Sequence, residues 1–257
     1  MEEVRIERRD GIARVVLSRP SARNAVTLAM WRELAAVFSG FAVDRDIRGV
    51  VLTGAGGDFS VGADISEFEK IREDRHQAAA YEVAVDMCSS AIAALGKPVV
   101  AAISGYCLGG GCHLALACDF RFGDRTASLG IPSAKLSIVY GVNSVQRLLA
   151  LTGVSNAKRI LYSADRYAAE QAAAMKLIDE LHDDVLAAAD HFLRRLAANA
   201  PLSISGAKYM LNGLTMGAGV LDPAVAQRLI DEASDSDDFR EGRIAFAEKR
   251  PPRFRGE

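Results

Sequence analysis

The chain contains 257 residues, of which 50% are hydrophobic and 25% are charged, enough for one globular core with accessory helices. Its 31 basic and 33 acidic side chains leave a formal net charge of −2, so no overall field attracts nucleic acid or an anionic membrane. We therefore expect neither as a partner, and a partner has to be identified from a local site.

The N-terminal segment favours a cytoplasmic location, because acidic residues follow Met1 directly and nothing there resembles a secretory signal or a transit peptide. The cysteines lie in mostly apolar sequence and include no CxxC pair. We therefore expect reduced core thiols, not disulfides or a metal site, at Cys88, Cys107, Cys112 and Cys118.

The first part of the chain predicts a hairpin, a helix and a strand. Short apolar segments at residues 4–7 and 13–17 flank Asp10 and Gly11, which is a hairpin signal. Residues 27–42 carry apolar side chains at steps of three and four, as in an amphipathic helix. Residues 49–53 form a short apolar run that is typical of a strand buried on both faces.

The middle of the chain continues this alternation and indicates an α/β core. Residues 98–103 predict a second buried strand, and residues 78–95 predict the helix before it. The later part of the chain is predominantly helical, and no linker separates it as an independent domain. The helices predicted there cover residues 156–162, 168–175, 185–198, 202–214, 223–233 and 237–248.

Two glycine-bearing segments are the most informative feature of the sequence. In residues 99–120, a buried strand runs through Gly109, Gly110 and Gly111 into an apolar helix, leaving backbone N–H groups unshielded. Residues 59–65 offer a second set of backbone donors after another glycine turn. Tight packing alone can explain such glycines. If both segments converge, they form an oxyanion hole, in which each donor contributes about 3 to 4 kcal/mol of transition-state stabilisation.

These two segments, in this order, resemble the paired oxyanion-hole motifs of the enoyl-CoA hydratase/isomerase (crotonase) superfamily. The resemblance extends to residues 18–25, 97–98, 146–148 and 241–250. It implies a crotonase-like (ClpP/crotonase) α/β fold of repeated ββα units in residues 1–195. It also implies a C-terminal helical trimerisation region in residues 196–257, and thus a homotrimer or a dimer of trimers.

The resemblance also implies a binding site for an acyl-CoA thioester. The thioester carbonyl is expected between the N–H groups of Ala63 and Gly110, with no metal and no cofactor besides the CoA of the substrate. The residues expected to contact CoA are Arg23, Ala25, Ala63, Asp64, Ile65, Ser66, Gly110, Phe246 and Lys249. A solvated surface arginine is the alternative for Arg23, and core packing is the alternative for the helix that carries Phe246.

The chain departs from the family pattern at both hydratase glutamates. Hydratases of the family hold a water molecule between two glutamates, and the matching positions here are His113 and Ser133. Paired acid and base catalysis on water requires one group that accepts a proton while the other donates one. A serine does neither unaided near neutral pH, so the sequence argues against ordinary hydration.

His113 can exchange protons near pH 7 or can be a satisfied core side chain. Ser133 is expected near His113, where it can hydrogen-bond to the imidazole, act as a nucleophile or line the pocket. Tyr140 lies where decarboxylases of the family place a tyrosine, although it can equally be a packing residue. For an isomerase, Glu67 is the nearby acid that the sequence offers, whereas Asp64 and Asp119 are expected to be structural.

The resulting prediction is an enzyme, a lyase or isomerase that passes through a thioester enolate. Decarboxylation, double-bond isomerisation and carbon–carbon hydrolysis are favoured over hydration, with Ala63, Gly110, His113, Ser133 and Tyr140 as the catalytic candidates. Alternatives are a weak hydratase, a thioesterase that uses Ser133 and His113, and an inactive protein that binds acyl-CoA or serves as a scaffold.

Overall fold

An antiparallel hairpin opens the chain and forms one edge of the larger sheet. Strand β1 (Val4–Arg9) pairs with β2 (Ile12–Leu17) around Asp10 and Gly11, which both have positive φ. This is the hairpin that the sequence predicts. The structure, a computed structural model, describes residues 2–68, 74–215 and 221–257.

Parallel strands extend this hairpin into a sheet that, over the described ranges, has the order β1-β2-β3-β4-β6-β9. Parallel neighbours require crossover connections, and helices occupy them. The added strands are β3 (Gly49–Gly54), β4 (Val99–Ile103), β6 (Phe120–Gly123) and β9 (Glu180–Leu181), and the first two helices are α1 (Leu28–Val43) and α2 (Arg75–Ala94). The strands and helices predicted before residue 104 are confirmed to within a few residues at each end.

Both faces of the central strands are buried. Val50 and Leu52 of β3 belong to the main core, together with residues of α1 and α2. Val51, between them, points to the opposite face and packs in a second cluster with Leu193 of helix α6 (Val185–Ala197). Burial on both faces explains why these strands are continuous apolar runs and not alternating ones.

A smaller sheet carries the glycine-rich turn. Strand β5 (Tyr106–Leu108) pairs in parallel with β7 (Ser128–Gly130), which pairs in antiparallel fashion with β8 (Arg166–Ala168). Helix α3 (Gly110–Ala117) follows β5 after Gly109 alone. The apolar run at residues 99–120 therefore contains two strands before the helix, and the second of these strands was not predicted.

The second half of the chain is mostly helical, as predicted, with two differences. The helix predicted at residues 156–162 is the end of a longer element that kinks at Gly153. Residues 166–168 form a strand because they pair with β7, and the helix predicted from residue 168 begins at Ala169. The helices are α4 (Val142–Ser163), α5 (Ala169–Ala174), α6, α7 (Pro201–Thr215), α8 (Pro223–Asp235) and α9 (Asp237–Glu248).

A buried ion pair joins helix α7 to the sheet. The Nζ of Lys208 lies 2.7 Å from the carboxylate of Asp119 and donates to the Lys97 carbonyl at 3.1 Å. Asp119 also accepts from the Val99 N–H at 2.8 Å, so its contacts are those of a structural residue. The boundary expected after residue 195 falls in the last turn of α6, which packs on the sheet.

All four cysteines are buried, and the described part of the chain contains no disulfide. Burial, aided by the charge of Asp119, raises the pKa of the Cys118 thiol to about 12. The cysteines are therefore core side chains, as predicted. Within the residues that the structure describes, no helix combines the length and apolar character needed to cross a bilayer.

Candidate active site

The two glycine-bearing segments lie side by side. The Ser60 N–H donates to the Tyr106 carbonyl at 2.8 Å, and the Leu108 N–H donates to the Ser60 carbonyl at 2.9 Å. An isolated parallel bridge joins Ser60 to Cys107, and a second joins Val26 to Ala63. The chain around Ser60 thus runs beside β5 and delivers the following glycine turn to the start of α3.

This contact depends on the absence of side chains at two glycines. A Cβ atom on Gly62 would lie 2.6 Å from the Leu108 carbonyl oxygen and 2.8 Å from the Gly110 nitrogen. A Cβ atom on Gly111 would lie 2.5 Å from the Ser60 carbonyl oxygen. Any other residue at either position would hold the two segments apart.

The amides of Ala63 and Gly110 meet at this contact. A Cβ atom built on Gly110 would lie 3.0 Å from the backbone nitrogen of Ala63. The backbone nitrogens of Ala63 and Gly110 are therefore close together. Gly110 is the first residue of α3, where an N–H has no acceptor within the helix. Within the described residues, neither amide donates a hydrogen bond, and both residues line one cavity. They are free donors of the kind that stabilises an oxyanion.

The cavity beside these amides lies between helices α1, α2, α3 and the start of α4. Its aromatic wall consists of Trp31, Phe68, Tyr81 and Tyr140. The Trp31 indole N–H donates to the Tyr81 hydroxyl at 2.8 Å, which fixes two of these rings. His113 and Ser133 also line the cavity, so both positions that replace the hydratase glutamates lie in one pocket.

His113 is a buried, neutral side chain. Burial, followed by the positive charge of Arg147, lowers its pKa to about 4, while the Val85 backbone acts in the opposite direction. Its Nδ1 forms a hydrogen bond with the Ser144 hydroxyl of α4. Of the roles open to Ser133, a hydrogen bond to His113 is not present, and the imidazole is paired with Ser144 instead.

Tyr140 contacts both His113 and the oxyanion segment. Its ring meets the imidazole edge-on, with 6.1 Å between centroids, and its hydroxyl donates to the Gly109 carbonyl at 3.2 Å. Burial raises the pKa of this phenol well above its usual value, and negative charge nearby acts in the same direction. Tyr140 therefore stays protonated at physiological pH, and it can support the turn that presents the Gly110 amide.

The acids near the pocket differ from the expectation. Glu67 does not line the cavity, because its carboxylate accepts the Leu28 N–H at 2.9 Å, at the start of α1. Two other carboxylates, of Glu82 and Asp86 on α2, do line the cavity. Sequence reasoning missed both, although their spacing of four residues on a predicted helix places them on one helical face.

The segment after Ala63 is a short 3₁₀ helix, Ile65–Glu67, which Asp64 caps. The Asp64 carboxylate accepts from the Ser66 hydroxyl at 2.6 Å and from Arg19 at 2.8 Å, so its pKa is lowered, chiefly by Ser66. These contacts fit the structural role expected for Asp64. Ile65 lines the cavity and is 65% exposed, which leaves its side chain open to a ligand.

The remaining residues expected to contact CoA lie outside the cavity. Arg23 is exposed, with its guanidinium 5.1 Å from the centre of the Tyr106 ring, whereas Ala25 is buried. On α9, Phe246 is 87% exposed, and Lys249 follows the helix as its C-cap. The structure of the single chain does not bring Phe246 or Lys249 to the cavity, and their role in binding CoA stays a prediction.

Comparisons with known proteins agree with this fold. The family model for enoyl-CoA hydratase/isomerase matches residues 7–257. YngF of Bacillus subtilis (strain 168) is 35% identical over 251 residues, with 95% of each chain covered. The 2,3-dehydroadipyl-CoA hydratase of Escherichia coli (strain K12) is 31% identical over 258 residues, with 100% of both chains covered.

A crystal structure of an enoyl-CoA hydratase/carnithine racemase from Magnetospirillum magneticum superimposes on this structure with a TM-score of 0.92. The two chains are 35% identical, and the match covers 100% of this chain and 97% of that one. The crotonase-like fold predicted from the sequence is thereby confirmed. The chain belongs to the enoyl-CoA hydratase/isomerase (crotonase) family of acyl-CoA-processing enzymes.

Proposed function

We propose that this enzyme converts an acyl-CoA thioester through an enolate intermediate and is not an ordinary hydratase. The observation that carries the proposal is the pair of free amides, of Ala63 and Gly110, that line one cavity with His113 and Ser133. The carbonyl oxygen of the thioester accepts from both amides. Charge that develops on this oxygen in the transition state then meets donors that need no reorganisation.

Hydration is disfavoured because the pocket lacks the pair of groups that would activate water at the family positions. The Nδ1 of His113 is engaged by the Ser144 hydroxyl, and the Ser133 side chain has no hydrogen-bonded base among the described residues. Several relatives, including the Escherichia coli protein, are named hydratases. Weak hydration is therefore the alternative activity to test beside the proposed one.

Double-bond isomerisation is the reaction that the pocket supports best. Glu82 and Asp86 line the cavity, whereas no lysine or arginine of the described residues does. A substrate that carries an acyl carboxylate, as decarboxylation requires, would face these two carboxylates and gain no cationic partner. Isomerisation needs a base for one carbon and an acid for another, and a carboxylate serves as both in turn. Carbon–carbon hydrolysis ranks after it, because it requires an activated water.

A hydrolytic reaction at Ser133 has little support from the geometry. A serine nucleophile needs a base within hydrogen-bond reach, but the Nδ1 of His113 is engaged by Ser144. In this proposal His113 and Tyr140 orient the substrate and the oxyanion turn, while Ser133 lines the pocket. The proposed reaction uses no cofactor besides the CoA of its substrate.

The proposal is tested with purified enzyme and a panel of CoA thioesters followed by mass spectrometry and ultraviolet absorbance. The panel contains 3-enoyl, 2-enoyl, carboxylated and cyclic β-keto acyl groups. We expect conversion of a 3-enoyl thioester to its conjugated 2-enoyl isomer, without a mass change. Addition of water to a 2-enoyl thioester at a higher kcat/KM would overturn the proposal. Binding of the panel without any turnover would favour an inactive acyl-CoA-binding protein.

The assembly proposed from family likeness is a cytoplasmic trimer, or a dimer of trimers, held by residues 196–257. Exposed apolar side chains on the C-terminal helices support it, since Leu211, Leu214 and Phe246 are each more than 60% exposed in the single chain. In a trimer, Phe246 and Lys249 can reach the CoA of a neighbouring subunit. Light scattering after size-exclusion chromatography measures the mass, and a monomer would contradict this assembly.

A further inference from the structure

Helix α2 presents one face to the acyl cavity. Tyr81, Glu82, Val85 and Asp86 all line it, and they lie one and four residues apart along the helix. Tyr81 is held by Trp31 at 2.8 Å, which orients this face toward α1 and the pocket. Two carboxylates thus reach the cavity from an element that contributes neither oxyanion amide.

The two carboxylates have different surroundings. The negative charge of Asp86 favours the charged form of Arg147 on α4. The Arg147 guanidinium donates to the Ser89 hydroxyl at 3.2 Å, and this hydroxyl donates to the backbone carbonyl of Asp86 at 3.1 Å. Asp86 is therefore part of a polar cluster between α2 and α4. The charge of Glu82 instead acts on Tyr140, whose hydroxyl bonds the Gly109 carbonyl beside the oxyanion amide.

We propose that the Glu82 carboxylate is the catalytic acid and base that exchanges a proton with the acyl chain. Glu82 lines the same cavity as the two oxyanion amides. This inference rests on the proposed function, because it needs an enolate whose oxygen is held by Ala63 and Gly110. It assigns the role of the missing hydratase glutamates to a different helix.

The proposed step is balanced without any further reactant. The C2–H bond of a 3-enoyl thioester breaks, its proton moves to an Oε atom of Glu82, and the electron pair forms the dienolate. The same proton then returns to C4, which forms the conjugated 2-enoyl thioester and regenerates the carboxylate. General acid and base catalysis of this kind contributes about 10² to 10⁴-fold in rate.

The contacts of two other polar residues in the pocket, His113 and Tyr140, support this assignment. His113 has a pKa lowered to about 4 by burial, and the pKa of Tyr140 is raised well above its usual value, again by burial. The Nδ1 of His113 is engaged by the Ser144 hydroxyl, and the Tyr140 hydroxyl donates to the Gly109 carbonyl. The geometric argument from the cavity wall stands independently of these shifts.

The experiment measures exchange of the C2 protons of butyryl-CoA with D₂O by proton NMR, which requires an enolate but no complete reaction. Glu82→Gln keeps the shape of the side chain and removes its charge, and Asp86→Asn is the matched change one turn along the same helix. We expect exchange by E82Q to be at least about 100-fold slower than by D86N. Butyryl-CoA binding, measured by calorimetry, should change by less than threefold in E82Q.

Glu82→Asp provides a second test, because it restores a carboxylate on a shorter side chain. Exchange by E82D that is at least tenfold faster than by E82Q supports a proton-transfer role over a structural one, and thermal unfolding shows whether each variant folds. If E82Q exchanges the C2 protons as fast as the wild type, or if E82Q and D86N lose the same fraction of the exchange rate, this inference alone is overturned. If the wild type binds butyryl-CoA but exchanges nothing, the proposed function fails together with this inference.

Discussion

The imidazole of His113 and the hydroxyl of Ser144 form a buried hydrogen bond between α3 and α4. His113 occupies the position of the first hydratase glutamate, and its partner Ser144 lies outside both oxyanion segments. When the hydroxyl donates to Nδ1, the ring proton resides on Nε2, and the imidazole is fixed as one neutral tautomer. His113 then acts as part of the pocket wall beside Trp31, with 6.1 Å between their ring centroids.

Replacement of Ser144 by alanine should destabilise the protein by about 1 to 2 kcal/mol, because Nδ1 of the buried imidazole loses its partner. Urea unfolding at pH 7 measures this change. Ser133→Ala is the matched control, since it removes a hydroxyl from the same cavity that has no hydrogen-bond partner among the described residues, and it should change stability by less than about 0.5 kcal/mol. Equal effects of the two changes would contradict the importance of the His113–Ser144 bond.

The lowered pKa of His113 predicts a specific pH dependence of stability. Its folded value of about 4 lies below the ordinary value of 6.5, so the unfolded chain binds an additional proton between these two values. Stability should therefore be fully present above about pH 6.5 and should fall as the pH decreases toward 4, by about 2 kcal/mol at pH 5 from this group alone.

Carboxylates also titrate in this range, so the measurement compares the wild type with His113→Gln, which has no titrating ring. Urea unfolding is followed at pH 7 and pH 5, and the loss of stability between them should be about 2 kcal/mol smaller in the variant. Identical losses in both proteins would mean that the imidazole is accessible and titrates with its ordinary pKa.

The sequence alone could predict the fold and the oxyanion segments because their signals are local. Buried parallel strands are continuous apolar runs. Gly62 and Gly111 mark the place where two backbone segments approach closely. Family resemblance then placed Ala63 and Gly110 at this approach. No side-chain identity is needed for these contacts, since they are made by main-chain atoms.

The polar residues of the pocket could not be predicted in the same way, because long-range packing selects them. Ser144 reaches His113 across 31 positions of sequence, through the packing of α3 on α4. Glu67 is near Ala63 in sequence, yet its carboxylate turns away to the start of α1. Glu82 and Asp86 carry no motif, and only the docking of α2 on α1 brings their helical face to the cavity.

The ion pair between Lys208 and Asp119 should be a strong contact between α7 and the sheet. Lys208→Met leaves the largely buried Asp119 carboxylate without its cation, and removal of one partner from a buried pair costs about 3 to 5 kcal/mol. The double variant Lys208→Met with Asp119→Asn should recover part of this loss. The control is Lys135→Met, which removes an exposed lysine 3.8 Å from Asp165 and should cost less than about 1 kcal/mol in urea unfolding.

The oxyanion role of Gly110 can be tested by removing its N–H while keeping the helix. Gly110 is the first residue of α3, where proline is favoured and where the N–H has no acceptor among the described residues. Gly110→Ala is the matched control, because alanine retains the N–H and adds the same Cβ atom, 3.0 Å from the Ala63 nitrogen.

Both variants carry the added Cβ atom, whereas proline also places its ring Cδ where the N–H hydrogen was. The difference between them therefore reports loss of the donor together with partial filling of the site that it faces. We expect G110P to exchange the C2 protons of butyryl-CoA about 10² to 10³-fold more slowly than G110A, since one oxyanion donor contributes about 3 to 4 kcal/mol. Their thermal unfolding midpoints should agree closely. If G110P and G110A exchange at the same rate while both fold, the Gly110 amide does not stabilise the enolate, and the thioester oxygen must be held elsewhere in the cavity.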